Sequence, residues 1–101
     1  MIVINKTFNG KKIKSKKGEA IKVQLEENPT TGYIWKIQSL DDKHIHFKED
    51  KFEAEGDGVG AGGIKTFYFE INNEGVSDLH IVLSNSWEND PADTFNVTIE
   101  S

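Results

Sequence analysis

The chain has no cysteine and no arginine, only two prolines, and no apolar run longer than a few residues. Each absence removes a class of function. Without cysteine there can be no disulfide framework, no thiol nucleophile and no thiolate metal site. Without arginine all twelve basic residues are lysines, so no bidentate fork is available for a phosphate or a guanine edge, which argues against nucleic acid as a partner. The short apolar runs leave no candidate membrane-spanning helix, and no membrane partner is expected. Met1 to Phe8 lacks both a basic leader region and a sustained apolar core, so no secretory signal is visible. A cytoplasmic location is the expectation, and a lysosomal or secreted one would follow if a signal had been removed.

What remains is an ordinary globular composition. The 101 residues are 36% hydrophobic and 29% charged, with a net charge of −5, which fits one folded domain spanning 1–101 rather than a disordered chain. Period-2 alternation recurs from end to end and no sustained helical period is found. Ile21, Val23 and Leu25 alternate with Lys22, Gln24 and Glu26; Tyr33, Trp35 and Ile37 alternate with Ile34, Lys36 and Gln38. Ile45 and Phe47 share a face opposite His44, His46 and Lys48. Phe67, Phe69 and Ile71, then Leu79, Ile81 and Leu83, then Phe95, Val97 and Ile99 repeat the pattern. Seven to eight short strands punctuated by turn residues predict an all-β fold, an immunoglobulin-like antiparallel β-sandwich. The lysine cluster from Lys11 to Lys17 reads as a solvated strand edge, since lysines also protect sheet edges from pairing.

In such a sandwich, successive connections emerge at alternate ends. The Asn28–Gly32, Gly56–Gly63 and Asn85–Asp93 loops are every second connection and should cluster at one end. The turns at Leu40–Lys43 and Asn72–Asp78 should share the other, provided that residues 43–55 form one bent strand and not a hairpin.

Few residues suggest chemistry. Gly58, Gly60 and Gly63 satisfy G-x-G-x-x-G, but a dinucleotide site needs a helix after the motif and Ile64 to Ile71 reads as a strand. His44 and His46 have a spacing compatible with a metal, yet no third ligand is identifiable, and both read as solvent-facing. The serines lie in turns without a nucleophile-elbow context. Glu26-Glu27, Asp41-Asp42 and Glu49-Asp50 read as loop and edge charges. No catalytic residue, metal site or cofactor is therefore assigned, and no enzyme activity is expected.

Two loops stand out. In Asn28-Pro29-Thr30-Thr31-Gly32-Tyr33, Pro29 presets its own φ and pushes Asn28 towards an extended conformation. Gly32 can take a positive φ, and the threonines are stiff at χ1. This is either a plain turn or a rigid protrusion with little entropy to lose on contact. Trp87 sits in a strongly polar loop, where a displayed tryptophan reads as an interface anchor and the alternative is a lid folded back on the sandwich. Trp35, by contrast, alternates with core residues.

Together these loops carry a resemblance. Asn28 to Tyr33 followed by Trp35 matches N-P-T-T-G-[YF]-x-W, and Gly60-Ala61-Gly62-Gly63 matches G-x-G-G. Asn85-Ser86-Trp87 stands where R-P-[WF] is expected and keeps only its aromatic. In order and spacing the chain resembles the chagasin-like family of cysteine peptidase inhibitors. The resemblance implies a reversible, non-covalent inhibitor of papain-like cysteine peptidases, acting as a monomer through three loops that fill the active-site cleft. Thr30, Thr31 and Gly32 would sit over the catalytic cysteine, flanked by Asn28, Pro29 and Tyr33. Gly60, Ala61, Gly62 and Gly63, with Asn85, Ser86 and Trp87, would grip the cleft walls. Loss of the Arg-Pro pair would leave the third loop less rigid and without its cation. The competing reading is an immunoglobulin-like adhesion or ligand-recognition domain using the same loop end.

Overall fold

The computed structural model describes residues 1–56 and 62–101. Among them are eight strands: β1 (Ile2–Asn5), β2 (Lys12–Lys14), β3 (Ala20–Glu27), β4 (Ile34–Ser39), β5 (Ile45–Ala54), β6 (Gly63–Ile71), β7 (Val76–Ser84) and β8 (Asp93–Glu100). They form two four-stranded sheets, in the orders β1-β3-β6-β5 and β2-β8-β7-β4. The apolar member of each alternating pair turns inward. Ile21 and Val23 lie opposite Phe69 and Phe67 in one sheet, while Leu79 and Ile81 lie opposite Val97 and Phe95 in the other. All eight are buried, and Trp35 joins them in the core. Burial of the inward faces is what makes strands this short stable, since none can form alone.

The expected sandwich is present, with a difference at its edges. β1 pairs with β3, and β2 with β8, in parallel, so both sheets are mixed rather than purely antiparallel. The N-terminal segment serves the two sheets in turn: β1 closes one, a 3-10 turn at Lys6–Phe8 follows, and β2 edges the other. Alternation reports which face a residue takes but not the direction of its partner strand, so the pattern could not carry this. Lys12 and Lys14 are exposed on the β2 edge and Ile13 is buried beneath them.

Residues 45–54 make one strand, not a hairpin. It carries a bulge between Phe47 and Glu49 that leaves Lys48 without a ladder partner. Phe47 opposite Phe69, Asp50 opposite Phe67 and Phe52 opposite Lys65 thereby keep one face despite their uneven spacing. Because β5 is a single strand, the parity of the connections holds. Asn73 Nδ2 donates to the Lys43 carbonyl at 2.6 Å and the Asn72 N–H to that of His44 at 2.8 Å, which joins the Leu40–Lys43 and Asn72–Gly75 turns at one end.

His44 corrects an expectation. It is 4% exposed, not solvent-facing, with Nδ1 2.6 Å from Ser77 Oγ and Nε2 2.7 Å from Ser101 Oγ. It precedes β5, in a turn where its N–H bonds to the Asp41 carbonyl, so strand alternation does not govern it. Its ring plugs the end of the sandwich beside Gly75. His46, on the strand itself, is exposed.

Phe95 is fully buried at the centre of the second sheet. Phe95→Ala should destabilise the fold by about 3–5 kcal/mol, the scale for an emptied aromatic site, measured by urea unfolding. A loss below about 1 kcal/mol would contradict this packing.

Candidate functional site

The first loop is built by its own side chains. Asn28 takes φ −123° and ψ 94°, and a single 3-10 turn runs over Pro29–Thr31. Asn28 Oδ1 accepts from the Thr30 N–H at 3.2 Å and from the Thr30 hydroxyl at 2.6 Å. The Thr31 hydroxyl donates to the Asn28 carbonyl at 2.7 Å and accepts from the Tyr33 N–H at 3.3 Å. Gly32, at φ 84°, closes the turn by donating to the Pro29 carbonyl at 3.0 Å. Both threonine hydroxyls therefore face into the loop, while Pro29, Thr30 and Thr31 remain exposed. Stiffness at χ1 was the visible reason for threonine; the second reason, three internal hydrogen bonds made by the hydroxyls, depends on the turn geometry.

The feet of this loop correct another expectation. Glu27 is not an edge charge: it is 6% exposed, and its carboxylate accepts the Trp35 N–H at 2.6 Å. The Trp35 indole N–H donates to the Glu26 carbonyl at 2.7 Å. The strand entering the loop is thus bonded to the strand leaving it, and a carboxylate held by backbone N–H is a strong form of such a clamp. The N-P-T-T-G-Y-x-W spacing, with a Glu just before it, was the available signal, but it could not say that the Glu turns inward.

The third loop is organised by Asn85. The side chain is buried, and its Oδ1 accepts from the backbone N–H of Trp87 at 3.3 Å and of Glu88 at 2.8 Å. The expectation that losing Arg-Pro loosens this loop is therefore met by a different local device, an Asx turn that mimics a backbone turn. Ser86 is exposed, and Trp87 is 68% exposed. The tryptophan is nonetheless seated. A Cβ placed on Gly32 would lie 2.5 Å from Trp87 Cη2 and 3.2 Å from Cζ3, so the indole rests on the bare backbone of the first loop. The Tyr33 ring packs beside it, with centroids 6.5 Å apart and planes tilted by 55°. The Tyr33 hydroxyl donates to the Glu88 carboxylate at 2.9 Å. The first and third loops are one surface.

The glycine loop is partly outside the described residues. Gly58, Gly60 and Ala61 belong to that part. Gly62 lies against the Glu27 carbonyl and Asn28 Cβ, which puts it at the same end as the other two loops. Its carbonyl accepts from the Glu55 N–H at 2.9 Å. Gly63 begins β6 so close to the Glu53 carbonyl and the Phe52 ring that no side chain fits. An open hollow of about 550 Å³ is lined by Glu26, Glu27, Asn28, Glu55, Gly62 and Gly63, at the feet of both loops. Since β6 follows the glycines, the motif lacks the helix that a dinucleotide requires. No group of three potential metal ligands is found among the described residues.

The Tyr33 phenol is pushed above its ordinary value of 10.0, first because it donates to Glu88, then through burial and the negative charge of Glu88; the Asn85 amide opposes the rise. The neutral phenol is the form that donates, so the contact holds at neutral pH and is lost as pH rises through the raised value. Ultraviolet titration, taken as the difference between wild type and Tyr33→Phe, should place the Tyr33 midpoint above that of a free tyrosine. Glu88→Ala should bring it down; an unchanged midpoint would mean that the contact is not formed in solution.

The model of the chagasin family peptidase inhibitor I42 matches residues 14–99. Chagasin of Trypanosoma cruzi is 24% identical over 101 residues, covering 95% of this chain and 92% of the relative. The crystal structure of the cysteine protease inhibitor EhICP2 from Entamoeba histolytica superposes with a TM-score of 0.88 at 21% identity, over 98% of this chain and 93% of the other. PbICP-C, solved in complex with falcipain-2, superposes with a TM-score of 0.71 at 10% identity, over 99% and 97% of the two chains.

Proposed function

Because this chain belongs to the chagasin family of peptidase inhibitors, we propose that it closes the cleft of papain-like cysteine peptidases with the loop end of its sandwich. It is an inhibitor and not an enzyme, and family membership favours this over an adhesion domain. The observation that carries the mode of action is the seat of Trp87 on Gly32 beside the exposed Thr30 and Thr31. It gives a ready-made wedge with a narrow polar-backbone tip and a large apolar flank.

Inhibition of this kind needs no bond to the catalytic cysteine. The wedge contributes contact area and shape, and its internal hydrogen bonds mean that little conformational entropy is lost on docking. Thr30, Thr31 and Gly32 cover the catalytic cysteine, with Asn28, Pro29 and Tyr33 holding their shape. Trp87 lies against one cleft wall and buries the ring that is now exposed, while Asn85 and Ser86 shape its approach. The family motif assigns the other wall to Gly60, Ala61 and Gly62, glycine letting a partner come close; Gly63 is buried within β6 against the Glu53 carbonyl and the Phe52 ring and makes no direct contact. The similar protein bound to falcipain-2 supports this use of the fold.

Titration against papain tests the reading. The wild type should inhibit reversibly, and Trp87→Ala should weaken binding by about 2–4 kcal/mol, the scale of an aromatic anchor. Thr31→Lys removes the hydroxyl bonded to the Asn28 carbonyl and drives a charged chain into the cleft, so it should abolish tight binding. Full residual peptidase activity at micromolar excess of wild type would overturn the proposal.

A further inference from the structure

Trp87 presents a large apolar ring to solvent, and a ring so placed samples many rotamers unless something holds it. Where R-P-[WF] would supply a proline to restrict the backbone before the aromatic, this chain has Asn85-Ser86. Three features take up the restraint. Asn85 Oδ1 ties down the N–H groups of Trp87 and Glu88. Gly32 offers a flat seat that any Cβ would obstruct. The Glu88 carboxylate reaches across 55 positions of sequence to accept the Tyr33 hydroxyl, pinning the far side of the third loop to the first.

We infer that Glu88, acting through Tyr33, is the residue that positions Trp87 for docking. It restores by a side-chain bond between loops the order that a proline would impose within one. Two further observations support it. Tyr33 packs against the indole at 6.5 Å between ring centroids, so fixing the phenol also fixes a wall of the tryptophan's seat. The Asn85 amide also reaches the Tyr33 hydroxyl, where it opposes the rise in the phenol's pKa, so the residue that ties down the third loop meets the same phenol as Glu88. Glu88 is a positioning residue in this account and makes no contact with the peptidase through its charge.

This inference rests on the cleft-occlusion reading, and its test separates the two. Inhibition constants against papain are measured for wild type, Tyr33→Phe, Glu88→Ala, Glu88→Gln, the Tyr33→Phe/Glu88→Ala pair, and Glu88→Ala in a Trp87→Ala background. Tyr33→Phe and Glu88→Ala should each weaken inhibition by about tenfold, the worth of one charge-assisted hydrogen bond, and the pair by no more than either alone. Glu88→Gln should stay near wild type, because its carbonyl still accepts the phenol. Without Trp87, Glu88→Ala should change little. Additive losses, a Glu88→Gln defect as large as that of Glu88→Ala, or wild-type inhibition by both single variants would overturn the inference and leave the cleft reading standing. A wild type that fails to inhibit would remove the cleft reading instead. The seat is then still tested in the free protein by nuclear magnetic resonance. The indole ring current should shift the Gly32 amide proton, and Glu88→Ala should move it back towards its random-coil position; an unmoved signal would overturn the inference.

Discussion

No strand of this protein can bury its apolar face alone, and the mutual burial of two inward faces is the constraint from which the rest follows. Phe67, Phe69, Leu79, Ile81 and Phe95 occupy the same sealed layer. Strands pinned on both sides of such a layer leave only their ends free to vary. The connections alternate between those ends, and the three that carry Pro29, Gly62 and Trp87 share one. The proposed site therefore sits where packing makes no demand, on a scaffold that holds loop positions through rigid strands.

Within that end the design is one of restraint. In the first loop the Asn28 side-chain oxygen, both threonine hydroxyls and the N–H groups of residues 30–33 are all used internally. The strands at its feet are bonded by Glu27 and by the Trp35 indole. A surface meant to enter a cleft gains most from having little left to order, because binding energy then need not be spent on fixing the loop. Trp87 follows the same rule from the other side, exposed for contact yet seated on Gly32. The seat also gives Gly32 a second role. It must take a positive φ to end the turn, and it must be bare for the indole to lie on it.

Much of this was legible in the chain. Alternation of Ile21, Val23 and Leu25, or of Phe95, Val97 and Ile99, depends on the two-residue period of a strand and survives into the structure. The loop parity followed from counting strands, and the motif from Asn28 to Trp35 pointed to the family. Other features were not legible, for identifiable reasons. The parallel pairing of β1 and β2 leaves no mark on alternation. His44 looked solvent-facing because strand periodicity was extended one residue into a turn. Glu27 looked like a surface charge because its partner, the Trp35 N–H, lies across a loop that must first be folded. Glu88 carried no signal at all, as one acid among several in a polar loop.

The sequence by itself determined the two faces of each strand, the positions of the turns and the identity of the first loop. These are local properties, set by side-chain period, by Pro29 and by Gly32. Only the tertiary structure decided that Trp87 lies on Gly32, that Tyr33 meets Glu88 and that two distant loops form one wedge. Such contacts join residues far apart in the chain, and they exist only once two sheets have been packed and their ends brought together.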